Sequence, residues 1–151
     1  MESKPNGNNS FNERISKQKY GEELFLRWCE ATCQLCYQTG FDETEKKGKF
    51  WLLNPILRNI PDYLIIQKEM YYIVNVKGTN NIKEKEFKLI PDLINSYSSD
   101  NCPLIYAFCF ENLQKPIFVR ADEVMKLYLE SYDKQWPDGI VYRSINLNNR
   151  I

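Results

Sequence analysis

An aspartate at 62 and a lysine at 77, with Asn75 two residues before the lysine, are the side chains best suited to joint chemistry in this chain. Carboxylate oxygens bind hard divalent cations, a bound metal lowers the pKa of its water, and a nearby ammonium stabilises charge growing on a phosphate. A carboxylate, an amide oxygen and an ammonium at one spot would therefore suit metal-assisted attack on a phosphodiester. Other chemistries are pruned by composition. The chain has no histidine, which excludes Ser-His-Asp and Cys-His hydrolases and any His-based general acid or base. It also has no Gly-rich phosphate loop, which removes P-loop NTPases and dinucleotide binders.

Two strands must position these groups. Residues 63–66 and 71–76 are rich in β-branched and aromatic side chains, and the polar Gln67, Lys68 and Glu69 separate them as a hairpin connection. A loop of two or four residues puts Asp62 opposite Asn75. Side chains alternate with period two, so Asn75 and Lys77 share a face, with Asp62 pointing from that face across the pair. Tyr72, Val74 and Val76 then form an apolar opposite face that can be buried. The bland alternative is a half-buried hairpin that ends in Asp and Lys for solubility alone.

The run Pro61-Asp62 through Asn75-Val76-Lys77 resembles the PD-(D/E)xK nuclease superfamily, in which an aspartate opens one strand and an acidic-x-lysine triplet ends the next. The resemblance implies an α/β fold with an α-β-β-β-α-β core, a central mixed sheet flanked by helices, and hydrolysis of DNA with Mg2+, for which Mn2+ can substitute. It implies Asp62 and Glu22 as metal ligands, Asn75 in the place of the second acid, and Lys77 beside the attacking water. Glu22 follows the family's pattern of a glutamate near the start of the first helix; its alternative role is a carboxylate favouring a helix N-terminus. Asn75 departs from the pattern, because an amide ligates through oxygen without adding negative charge. Three readings follow: an engineered acid-to-amide change, a site whose acid is displaced to Glu84 or Glu86, or a degenerate domain that binds nucleic acid or a protein partner without cleaving.

The remaining pattern extends the same order of elements. Residues 19–39 read as one helix, ended by Gly40, with an apolar stripe at 24, 25, 28, 29, 31, 35 and 36. Residues 49–53 read as a strand, 84–97 as a helix that Pro91 should kink or divide, and 103–110 as a strand buried on both faces. A short strand at 116–120, a helix at 121–132 and a final strand at 139–147 complete the expectation.

At 151 residues with 43% hydrophobic content the chain fits a single domain over 13–151, preceded by an Asn-, Ser- and Gly-rich tail at 1–12 expected to be disordered. The 20 basic and 20 acidic residues cancel, so a phosphate-binding surface must be a local patch; Lys77, Lys83, Lys85 and Lys88 form one candidate and Lys46, Lys47 and Lys49 another. Cys29, Cys33, Cys36, Cys102 and Cys109 lack paired loop spacing and read as buried thiols of a reducing compartment. No long apolar run or signal pattern is present, giving the expectation of a cytoplasmic protein with no membrane contact. The expected partners are DNA and, through Tyr128, Tyr132 and Trp136, a second copy of the chain in a homodimer.

Overall fold

The hairpin forms with the shortest loop that the pattern allows. In the structure, a computed structural model that describes residues 7–32, 34–41 and 45–150 with side chains from residue 12 onward, strand β2 (Tyr63–Gln67) turns at Lys68 and Glu69 into strand β3 (Met70–Lys77). Lys68 takes a φ of 53°, as the first position of a tight two-residue hairpin loop requires. The register pairs Tyr63 with Val74 and Gln67 with Met70.

Around this hairpin lies a five-stranded sheet of order β1-β2-β3-β5-β6, with β1 at Leu35–Gln38, β5 at Leu104–Phe108 and β6 at Ile117–Arg120. Only β3 and β5 run parallel, and helix α3 (Glu84–Tyr97) makes the crossover between them that a parallel pair needs. A second sheet, β4-β8-β7, is built from Asn81–Lys83, Val141–Ser144 and Asp133–Gln135. The fold class is α/β with a mixed sheet, as expected. The small second sheet was not legible, because its strands are three or four residues long and largely polar.

Helix α1 (Gly7–Ala31) covers one face of the main sheet, where Leu24, Phe25 and Cys29 pack on Tyr63, Ile65, Val74, Val76, Ile105 and Ala107. Burial of the Val74 and Val76 side chains contributes on the order of 1.5–3 kcal/mol each. The other face carries the second core, in which α3, α4 (Ala121–Leu129) and the small sheet meet Leu104, Tyr106, Phe108, Ile117 and Val119. Strand β5 is buried at all five positions, which accounts for its uninterrupted apolar sequence.

Several expectations are corrected. The helix read over 19–39 ends at Ala31, and Leu35–Gln38 becomes the edge strand β1, because backbone pairing with β2 is available to it. Helix α1 begins at Gly7, inside the segment read as a disordered tail; residues 1–6 lie outside the described ones. Residues 48–52 form a 3-10 turn in place of a strand, with Phe50 buried against Phe41, and the short helix α2 (Pro55–Arg58) follows. Pro91 neither divides α3 nor enters its core; it lies on the exposed side, where its missing N–H faces solvent. The aromatic trio proposed as a subunit contact also splits: Tyr128 is buried and stacked on Phe87, Trp136 stacks on Tyr142 beneath Arg14, and only Tyr132 is exposed.

Candidate functional site

The middle of α1 and the end of β3 are locked together beside the candidate residues. Gly21 and Gly78 let the backbones meet: a Cβ on Gly78 would lie 2.1 Å from the Lys17 carbonyl oxygen, and one on Gly21 would lie 2.8 Å from the Gly78 Cα. Gln18 then clamps the strand end, its Nε2 donating to the Val76 carbonyl at 2.9 Å and its Oε1 accepting from the Gly78 N–H at 3.0 Å. Lys77, between those two residues, is thereby held at a fixed point.

Asp62 is fixed with equal care. Its N–H donates to the Val74 carbonyl, and its own carbonyl accepts from Thr39 and Gly40. One side-chain oxygen, Oδ2, accepts from the Val76 N–H at 2.8 Å, extending the ladder past the end of β2. That bond is the local structural role of Asp62, and it leaves Oδ1 as a second acceptor. Continuing the register by one step puts Asp62 opposite Asn75, and the β3–β5 register puts Tyr106 beside Asn75. By alternation, Asp62, Asn75, Lys77 and Tyr106 share the face that α3 covers.

Electrostatics make this spot unusual. Burial lifts the Asp62 carboxyl from 3.8 to about 6; the Val76 hydrogen bond and the charges of Lys46 and Lys77 pull it down, and the Glu86 charge pushes it up. Lys77 lies against Glu86, its Nζ donating to both carboxylate oxygens at 2.8 and 2.9 Å. Glu86, in the first turn of α3, also accepts from the Lys83 N–H at 3.4 Å. Of the two acids considered as displaced partners, Glu86 joins the site, whereas Glu84 forms an outward i,i+4 pair with Lys88 at 3.6 Å. Lys77 and Lys83 thus flank the site, and Lys88 of the same expected patch does not.

Glu22 is half-buried on α1, which packs on the opposite face of the sheet, and its charge, like that of Asp62, acts on Tyr63, whose ring lies in that core. The described interactions therefore bring together Asp62, Asn75, Lys77 and Glu86, while Glu22 reaches from α1 toward Tyr63.

Sequence reasoning missed Tyr106. It sits in an apolar run whose burial was expected, but it is the only residue of Pro103–Phe110 with a side-chain hydroxyl, and a buried tyrosine hydroxyl ordinarily finds a partner. Among the described residues it has no hydrogen bond of full geometry; the Asn75 side chain is its nearest hydrogen-bonding neighbour, and the Glu86 and Asp62 charges act on it. Burial raises its pKa above the usual phenol range, so the hydroxyl keeps its proton and can donate.

Magnesium sites use one or two carboxylates, with waters and phosphate oxygens completing the shell. Asp62 Oδ1, the Asn75 amide oxygen and the Glu86 carboxylate are the oxygen donors on this face, with Glu86 engaged by Lys77 and Asp62 raised in proton affinity chiefly by burial. Among the described residues no three His, Cys, Asp or Glu side chains cluster tightly enough to hold a metal ion by themselves. The donor set fits a hydrated, weakly held cation and not a closed metal cage. The described cysteines 29, 36, 102 and 109 are free thiols; Cys33 lies outside the described residues. Among the described residues, no helix is long and apolar enough to cross a membrane.

No protein-family model matches this chain, and no curated protein shows significant similarity to it.

Proposed function

We propose that this chain is a relative of the PD-(D/E)xK nucleases that acts on DNA phosphodiesters with a divalent cation, Mg2+ or Mn2+, and that Asn75 weakens the reaction. The observation that carries the reading is the register of β2 and β3, which opposes Asp62 to Asn75 with Lys77 next along the same face. Asp62 and Asn75 would hold the cation, with Glu86 as the nearby second acid. When bound, the cation would supply an acidified water and neutralise phosphate charge. Lys77 would orient the attacking water and favour the negative charge that develops on the phosphate. In the resting arrangement its ammonium is held by Glu86, so this ion pair must loosen for Lys77 to face a substrate. The order of α1, β1–β3, α3 and β5 agrees with the α-β-β-β-α-β core of that superfamily.

A second reading, a non-catalytic relative that binds nucleic acid or a protein partner, draws on the neutral Asn75 and on the engagement of Lys77 by Glu86. The two are separated by incubating the protein, Asn75→Asp and Asn75→Glu with branched, duplex and single-stranded DNA in Mg2+ or Mn2+. Cleavage that either acid increases and that Lys77→Ala abolishes supports the nuclease. Absence of cleavage in all versions, with retained binding, supports the second reading.

A further inference from the structure

The Tyr106 hydroxyl is fully buried and, among the described residues, makes no hydrogen bond of full geometry, the Asn75 side chain being its one near hydrogen-bonding neighbour. Unsatisfied buried polar groups are rare in native proteins and destabilise the folds that retain them. Phenylalanine would fill the same space without that defect; the neighbouring Phe108, stacked at 6.2 Å, shows that this core accepts it. The orphan sits on the register position beside Asn75, in the field of Asp62 and Glu86, and nowhere else in β5.

We propose that Tyr106 is a positioning residue of the Asp62–Asn75 site, an O–H donor kept ready for a water molecule that enters with a divalent cation. A water is the ligand of the right size. The hydroxyl is closed off beneath α3, so a phosphodiester cannot reach it, whereas a water needs only two to four polar partners. Tyr106 Oη, the Asn75 amide and Asp62 Oδ1, which makes no hydrogen bond among the described residues, are the candidates on this face. The hydroxyl would act through that water, as groups behind metal ligands commonly do. The inference rests on the cation-site reading above.

The test compares Tyr106→Phe with the unaltered protein in two measurements, thermal melting in EDTA and Mn2+ titration by calorimetry. The expected result is opposite signs: the melting temperature rises by about 2–8 °C as the orphan is removed, while Mn2+ affinity falls about tenfold or more. A merely structural hydroxyl would not separate the two. A lower melting temperature in EDTA would overturn the proposal by showing that the hydroxyl is already bonded. Equal Mn2+ affinity in both proteins would overturn it while leaving the cation site standing. No Mn2+ binding by the unaltered protein would overturn the cation site itself, and this proposal with it.

Discussion

Replacing Asp62 with asparagine should stabilise the protein while removing its cation site. The carboxyl is displaced from 3.8 to about 6, chiefly by burial. At about 1.4 kcal/mol per tenfold change in proton affinity, the ionised form costs the fold about 3 kcal/mol at pH 7. Asparagine keeps an oxygen for the Val76 N–H but makes a weaker bond than a carboxylate, so a net gain of about 1–3 kcal/mol is expected. The melting temperature should rise by about 3–10 °C. The sign of the pH dependence follows from the raised folded-state value. Asp62 supports the fold fully below about pH 3.8, and that support is lost as pH rises to about 6, whereas asparagine does not titrate. The advantage of Asp62→Asn should therefore grow between pH 4 and 6 and stay level above. Urea unfolding of both proteins from pH 4 to 8 measures it. A difference that does not change with pH, or a variant less stable at pH 7, would refute the assignment of Asp62 as a desolvated carboxylate.

Gly78→Ala should destabilise by about 3 kcal/mol or more, since its Cβ would fall within 2.1–2.7 Å of the Lys17 and Gln18 backbone; denaturant unfolding reads the loss. A double-mutant cycle with Lys77→Met and Glu86→Gln should give a coupling of about 1–2 kcal/mol, between an exposed and a fully buried ion pair, because both side chains are partly covered. Pro91→Ala should raise stability by about 1–3 kcal/mol by restoring an N–H donor on the exposed side of α3, with an increase in melting temperature as the readout.

The hairpin and the face it presents were legible because they rest on alternation and on a loop of even length, both local properties of residues 61–77. Helix α3 was equally legible, down to Glu84 and Tyr97, since its apolar spacing outweighs one exposed proline. Leu35–Gln38 misled because Leu35 and Cys36 continue the helical stripe of α1, and only the presence of β2 as a partner decides for a strand. Glu86 was one of two acids read as the displaced partner, and the capping turn of α3 decides for it over Glu84, whereas Tyr106 belongs to the site through the β3–β5 register, which sequence spacing does not carry. Glu22 was chosen by position on a helix, but which face of the sheet the helix covers is a tertiary property.

Paramagnetic broadening of backbone amide resonances by trace Mn2+ tests the cation site most directly. Broadening centred on the amides of residues 62, 75, 76 and 106, and abolished by Asp62→Asn, is the expected result. Broadening spread over surface carboxylates such as Glu84 and Asp122, with the amides around Asp62 untouched, would contradict it.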